Sequence, residues 1–208
     1  IFGLAFLGGV SAHRLRKAAK QGAHISLLHA SDDDLLLRIA HKAFAAPSAM
    51  PGVLAEIVVA AAAAAGKAAP EALSQVTASP AAQAIAASLA SGERKGIFLG
   101  NFAQHHPQAA QLHALAQELA QLTGAKQGFL TEAANSLGGH IVGAMPQRGG
   151  MNAQAMLASP RKAYLLLHAE PELDAADPGV ARAALMAAEC VIALSPFRSG
   201  EAAHADVV

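Results

Sequence analysis

The side chains with the clearest potential for metal chemistry are ten histidines and a run of three aspartates. Zinc sites usually combine His and Cys at fixed spacings, or place two His in an HExxH motif, and neither pattern occurs. His106 and His113 are seven residues apart, which places them about two turns apart on one face of a helix. Asp32–Asp34 could bind magnesium, but at a predicted helix start they favour an N-cap and a partner for the helix dipole. We therefore predict no metal ligands and interpret these residues as surface groups.

Candidate nucleophiles are equally few. Cys190 is the only cysteine and precedes the apolar residues 191–193, which predicts a buried, unreactive thiol. One cysteine excludes an internal disulfide, and it excludes an iron–sulfur cluster, which needs four ligands. Ser195 precedes Pro196 without a visible His–Asp pair to activate it, and no GxSxG motif is present. The sequence therefore predicts no catalytic residue.

Phosphate-binding glycine motifs are also missing, since neither GxGxxG nor GxxxxGK[ST] occurs. Gly138–Gly139 and Gly149–Gly150 could let the backbone approach a ligand, or they could be turn residues. We favour turns, and predict no cofactor-binding residue.

Composition excludes several classes of partner. The 208 residues carry no net charge with His neutral, so nothing attracts nucleic acid or an anionic membrane. The densest basic cluster reads as the solvated face of a helix and comprises Arg14, Arg16, Lys17 and Lys20. The longest apolar run, Val53–Ala65, contains Glu56 and is shorter than the roughly 20 residues that span a bilayer. We therefore predict neither nucleic-acid binding nor membrane insertion.

The elements that would position any site alternate between apolar strands and Ala-rich helices. The predicted strands are His24–His29, Gly96–Gly100, Gln127–Thr131, Ala163–Ala169 covered on both faces, Cys190–Leu194 and the start of another at Ala205–Val208. Ile1–Val10 is predicted as a core strand or as an end of the fragment. The predicted helices are Asp32–Ala45, Val53–Ala65, one or two in Glu71–Ala90 split at Pro80, Pro107–Leu122 and Pro178–Ala188. Gly66 and Gly124 are predicted to end the helices that they follow. Pro107 is predicted at position N1 of its helix, and Asp177 is predicted to cap the last one.

This alternation predicts an α/β fold: a mostly parallel sheet with helices on both faces and a helical section at about 53–90, as one domain fragment over residues 1–208. Ligands of such sheets sit beyond the carboxyl ends of the strands. The loops expected there are Asn101–His106, Asn135–Gly150 within a longer loop region from Ala133, Glu170–Pro178 and Ser195–Ala203. Glu170 and Asp174 could face a pocket, although a carboxylate that caps the next helix is the favoured interpretation.

Several segments resemble the large iron–sulfur subunit of bacterial NADH:quinone oxidoreductase (complex I). The resemblance covers most of the chain from Arg14 onward. The matching segments also follow one another in the same order as in that subunit. They are Arg14–Leu28, Gly96–Ala116, Leu130–Leu157, Lys162–Asp174 with its Glu170-Pro171 pair, and Ala188–Val208.

The resemblance implies a Rossmann-like domain of the molybdopterin oxidoreductase superfamily that generally lacks the molybdenum–pterin cofactor in complex I. It implies iron–sulfur clusters in an N-terminal part of the subunit that is not in this chain, and no cofactor in the fragment. The implied role is structural, in the peripheral arm on the cytoplasmic side of the inner membrane, with other complex I subunits as partners.

Two other functions stay open. The chain could be part of a molybdopterin-dependent enzyme such as a formate dehydrogenase, with the pterin near Asn135 and Glu170. The lack of a Cys or Ser in a recognisable molybdenum-ligand motif counts against this. A generic nucleotide-binding α/β domain is the weakest hypothesis, because the phosphate-binding motifs are missing.

Overall fold

The computed structural model describes residues 9–130, 135–196 and 204–208. The chain divides into two compact units, Ile1–Ser136 (unit 1) and Leu137–Val208 (unit 2). The strand predicted at Ile1–Val10 lies outside the described residues, apart from Gly9 and Val10, which begin a helix.

Unit 1 carries four strands and five helices among its described residues. They are α1 (Gly9–Lys20), β1 (Ser26–His29), β2 (His41–Phe44), α2 (Met50–Ala64), α3 (Pro80–Ser91), β3 (Gly96–Leu99), α4 (Asn101–Gln104), α5 (Ala109–Thr123) and β4 (Lys126–Phe129), with 3-10 turns at Pro47–Ala49 and Glu71–Leu73. The basic cluster predicted on a helix lies on α1. The section at 53–90 contains no strand, as predicted.

In unit 2 the described residues form two strands and four helices. They are α6 (Ser136–Ile141), which begins at the boundary, α7 (Ala153–Ala158), β5 (Ala163–Leu167), α8 (Pro171–Asp174), α9 (Pro178–Met186) and β6 (Cys190–Leu194). Val207 forms a parallel bridge with Ile192, where a further strand was predicted to start.

The predicted parallel α/β architecture is confirmed, but the strands hydrogen-bond in three separate pairs within the described parts of the chain. β1 pairs with β2, β3 with β4 and β5 with β6, all parallel and in full register. The prediction was a mostly parallel sheet, and every strand pair among the described residues is parallel. The pattern of apolar residues indicates that a segment is a strand, but it does not specify which strand it pairs with.

The core of unit 1 is built around α2, which packs against α3 and α5. Met50, Val58 and Leu112 are fully buried there. Both glycine stops are confirmed, since Gly66 and Gly124 adopt left-handed conformations after α2 and α5. By length and composition Pro47–Ala64 could span a membrane, at a mean hydropathy of 1.5, but half of it is buried in the fold. We interpret α2 as the central core helix of unit 1.

The helix predicted at Asp32–Ala45 is wrong. The backbone N–H of Leu36 donates to Asp34 Oδ1 at 2.9 Å, which closes a local turn. Leu36 itself has a φ of 51°, and its carbonyl accepts a hydrogen bond from Arg16 Nε at 3.0 Å. The chain then extends as β2 beside β1, and Asp32 pairs with Lys42. The aspartate run therefore serves turns and an ion pair instead of a helix N-cap.

Pro107 is not the N1 residue of α5, which begins at Ala109 after the N-cap Gln108. A hydrogen bond of His106 accounts for this later start of the helix, because its Nδ1 accepts the backbone N–H of Gln108 at 2.9 Å. That bond holds the chain in a turn for two residues after the proline. His106 therefore lies outside α5, and the predicted shared helix face with His113 is wrong.

The β5–β6 pair is covered on one face in unit 2, where two covered faces were predicted for Ala163–Ala169. Val191, Ala193 and the α9 residue Leu185 are buried on the covered side. Leu165 and Leu167 on the other side are 66% and 73% exposed. An apolar run fits a doubly covered strand, but it also fits a strand that leaves one apolar face open.

Candidate functional site

The carboxyl ends of β1 and β3 bring two rings together. His29 is the last residue of β1 and is 6% exposed, and Phe102 follows β3 in α4. Their ring centroids are 5.4 Å apart and the rings are perpendicular. Edge-to-face packing is a favoured geometry for aromatic rings. This end of the parallel strands is where α/β proteins bind ligands, so it is the first place to look for chemistry.

Ser31 and Asp33 continue this cluster from β1. The backbone N–H of Ser31 donates to His29 Nδ1 at 3.2 Å, and the Ser31 hydroxyl donates to Asp33 Oδ2 at 2.7 Å. In a catalytic triad the histidine lies between the serine and the acid and takes the serine proton. Here the Ser31 hydroxyl oxygen lies 3.2 Å from His29 Nδ1 and 2.7 Å from Asp33 Oδ2. The serine therefore lies between the histidine and the acid, which is not the order of a catalytic triad.

The predicted loop Asn101–His106 is mostly the short helix α4. The Gln104 side-chain amide donates to the carbonyl oxygens of Leu99 at 3.2 Å and Leu130 at 2.9 Å. One side chain therefore ties together the chain that leaves β3 and the chain that leaves β4. Both bonds come from its amide nitrogen, Nε2.

The two histidines with helical spacing are engaged separately. His106 Nδ1 accepts from Gln108, so its Nε2 carries the hydrogen and donates to the Pro47 carbonyl at 2.9 Å. His113 packs edge-on against Phe129, with centroids 5.1 Å apart. They do not form a shared metal site. The parts of the chain that the structure describes contain no group of three or more His, Cys, Asp or Glu side chains placed to hold a metal.

In unit 2 the strand-end loops carry carboxylates. Asp174 Oδ2 accepts the backbone N–H of Glu170 at 2.7 Å, which closes the start of α8. Glu172 Oε1 lies 2.6 Å from His204 Nε2, an ion pair when the histidine is protonated. Asp174 thus bonds within its own short helix, and the residue that caps the next helix, α9, is Asp177. Of the predicted loop Ser195–Ala203, residues 197–203 lie outside the described part.

The glycines of the predicted loop Asn135–Gly150 behave in two ways. Gly138 and Gly139 lie inside α6, which corrects both the turn and the loop predicted for them. Gly149 has a φ of 90° and belongs to a turn, as predicted. Neither pair forms a phosphate-binding motif after a strand.

Cys190 is half-buried, where a buried thiol was predicted. It is the first residue of β6 and lies at the amino end of that strand. Parallel α/β sheets place ligands at the opposite end. Cys190 is therefore set apart from the strand-end loops of its own unit.

Sequence reasoning missed the cluster of His29, Ser31, Asp33 and Phe102, although it named the loop Asn101–His106, which contains Phe102. The available indication was positional, since His29 ends the apolar run at 24–29 and Ser31 follows it directly. Treating the last residue of each predicted strand as a candidate site residue would have found His29. The contact with Phe102 depends on the neighbouring strand pair, which the sequence does not specify.

Comparison with known protein families gives one match. The family model described as molybdopterin oxidoreductase matches residues 9–208. No curated protein and no solved structure matches the chain. The match spans both units and all six strands, and the parallel α/β architecture is consistent with it. The chain belongs to the molybdopterin oxidoreductase family.

Proposed function

We propose that this chain is a structural domain of the large iron–sulfur subunit of bacterial NADH:quinone oxidoreductase. It would scaffold the peripheral arm, on the cytoplasmic side of the inner membrane, and contact neighbouring subunits. The observation that carries the proposal is the ordered series of segments resembling that subunit, from Arg14 to Val208. The series lies within the molybdopterin oxidoreductase match over residues 9–208.

The polar groups at the strand ends hydrogen-bond to other groups of the same unit, which supports a structural role. Ser31 hydrogen-bonds to Asp33, and Gln104 links two strand ends. Asp174 binds the backbone at the start of α8. Each of these groups satisfies a partner within its own unit. A site built for substrate would instead aim such groups at a shared cavity.

The exposed face of β5–β6 supports a docking role. Leu165, Leu167 and Leu194 project from the uncovered side of the pair and are more than half exposed. Contiguous exposed apolar surface marks interaction sites in folded proteins. A domain whose function is to hold neighbouring subunits would present such a face.

The family implies a molybdenum–pterin cofactor, which would supply a redox-active metal when bound. A thiolate or hydroxyl from the protein would have to reach that metal near the strand ends. The only thiol, Cys190, lies at the amino end of β6, and the Ser31 hydroxyl donates to Asp33. Neither of these two donors is placed to reach that metal, and we assign no step to the cofactor.

The test is elemental analysis for molybdenum, tungsten and iron, with pterin fluorescence, on the full-length subunit from a host that makes molybdopterin. We expect iron without stoichiometric molybdenum, tungsten or pterin. Stoichiometric pterin and metal would overturn the proposal and favour a molybdopterin-dependent enzyme such as a formate dehydrogenase. Formate oxidation or nitrate reduction, assayed on the same preparation, distinguishes an active enzyme from passive cofactor binding.

A further inference from the structure

A cavity of about 500 Å³ lies in unit 1, walled by β1 and β3 and by residues of α1, α2, α3 and α5. Its buried walls are aliphatic and include Leu27, Leu28, Leu54, Ile57 and Ile85. Small-ligand pockets have volumes of about 300–1,000 Å³ and are lined mostly by apolar side chains. The buried part of this cavity is therefore suited to an apolar chain.

The cavity opens at the amino ends of β1 and β3. Exposed or half-buried lining residues lie in the turn before each strand, and they are Gly22, Ala23, His24, Gly92, Arg94 and Lys95. The strand-end cluster around His29 lies at the opposite, carboxyl end of β1. The opening is therefore separate from that cluster.

Arg94 and Lys95 give this opening a positive charge. No Asp or Glu is among the described residues that line the cavity. Glu93 precedes the two cations, but it does not line the cavity, and neither cation forms an ion pair within the described part of the chain. Cations without an acidic partner, placed at the mouth of an apolar cavity, favour an anionic group there.

A second cavity of about 290 Å³ adjoins the first, and residues 22–24 line both. Its wall also contains Arg38 and His41, and no carboxylate lines it in the ranges that the structure describes. Arg38 has no ion-pair partner in those ranges either. His24 thus lies between Arg38 on one side and Arg94 with Lys95 on the other. The second cavity is an independent indication that this end of unit 1 receives an anion.

We propose that unit 1 binds a single-chain amphiphile with an anionic head, a fatty carboxylate of medium chain length. The alkyl chain occupies the cavity of about 500 Å³, and the carboxylate lies at its mouth beside His24, Arg94 and Lys95. Burial of the chain supplies most of the affinity. Charge-assisted hydrogen bonds from the cations select the head. This site is independent of the docking function proposed above.

Isothermal titration calorimetry of the 208-residue chain with decanoate, below its micelle-forming concentration, tests the proposal. We expect saturable binding of one decanoate per chain. Acetate, which has the same head and almost no chain, should show no measurable binding, because little apolar surface is buried. Decyltrimethylammonium has the same chain length and the opposite charge, and it should bind at least ~10-fold more weakly. Absence of decanoate binding, or equal binding of the two amphiphiles, overturns the proposal.

A pair of double variants tests the head group's position. Arg94→Gln with Lys95→Gln should weaken decanoate binding at least ~10-fold, because both cations at the mouth are lost. Arg161→Gln with Lys162→Gln is the matched control, since it removes the same two charges from unit 2, outside the cavity lining. It should leave binding unchanged. Equal weakening in both double variants would show a response to net charge alone and would overturn the assigned site.

A second pair tests the position of the chain. Ala18 of α1 lines the cavity, so Ala18→Phe should fill part of it and weaken decanoate binding at least ~10-fold. Ala87→Phe is the control, because Ala87 is exposed on α3 and does not line the cavity. Far-ultraviolet circular dichroism shows whether both are folded. Unchanged binding by folded Ala18→Phe overturns the proposal. If Ala18→Phe does not fold, the double variants decide.

Discussion

Asp177 shows how much one side chain can fix at a helix start. Its Oδ1 accepts the backbone N–H of Val180 at 3.0 Å, and α9 begins at the next residue, Pro178. Asp177→Ala should lower the free energy of unfolding of unit 2 by about 1 kcal/mol, because one N-terminal N–H loses its acceptor. Urea unfolding followed by the emission of Tyr164, the only tyrosine, measures this in a chain without tryptophan.

Asp177→Asn is the matched control, since an asparagine oxygen accepts the same bond. It should retain most of the stability that alanine loses. Equal loss in the two variants would contradict a capping role and indicate that the aspartate charge matters instead.

Asp34 and Asp177 define what could be predicted at this scale. Both side chains accept a backbone N–H a few residues on, at Leu36 and Val180. The sequence predicted one helix that begins with the aspartate run and another after Asp177, and only the second is correct. An aspartate favours helix starts and local turns through the same hydrogen bond. The choice at Asp34 is made by residues 41–44, which pair with β1 as a strand.

The two faces of the β5–β6 pair should respond differently to truncation. Val191→Ala removes buried methyl groups and should lower the free energy of unfolding by roughly 1–3 kcal/mol. Leu167→Ala removes a larger but mostly exposed side chain and should change it by about 0.5 kcal/mol or less. Tyr164 emission during urea unfolding measures both. Similar losses would show that the Leu167 face is covered in solution.

The same face gives a prediction that rests on the proposed function. Leu165→Lys with Leu167→Lys, made in the full-length subunit, should reduce its incorporation into the assembled complex, because charges would replace apolar contact surface. Leu173→Lys is the control, since Leu173 is exposed on α8 and belongs to neither β5 nor β6. Incorporation is measured by co-purification with the other subunits. Equal incorporation of all three proteins would argue against docking through β5–β6.

At the element scale, α2 and α5 were predictable because Ala and Leu recur at helical spacing over several turns. β2 was not, because HKAF is four residues long and half polar. Its strand conformation depends on pairing with β1. The exposed face of β5 could not be predicted either, since an apolar run does not show which of the strand's two faces other elements cover.

Unit 1 and unit 2 each have buried apolar residues of their own, as expected of separate folding units. Leu112→Ala should lower the stability of unit 1 by roughly 2–5 kcal/mol and shift the far-ultraviolet circular dichroism transition. The Tyr164 transition should stay in place. Leu185→Ala in α9 should do the reverse. Joint shifts of both probes in either variant would show that the units unfold as one.

At the scale of the whole molecule, the family was predictable and the local site was not. Ordered segments spread over 14–208 carried the resemblance, and the family match over 9–208 confirms the superfamily. The contact between His29 and Phe102 joins residues from two strand pairs. Such a contact depends on tertiary packing, which no motif encodes when its residues lie 73 positions apart in the chain.

The half-buried Cys190 has a practical consequence. Cys190 lies opposite Ala163 in the β5–β6 register, and the adjacent rung pairs Val191 with Tyr164. The chain therefore has one thiol and one natural fluorophore on neighbouring rungs of the same ladder. A small quencher attached to that thiol would report strand separation in unit 2 as a rise in tyrosine emission. Single-site labelling of this kind requires no engineered residue.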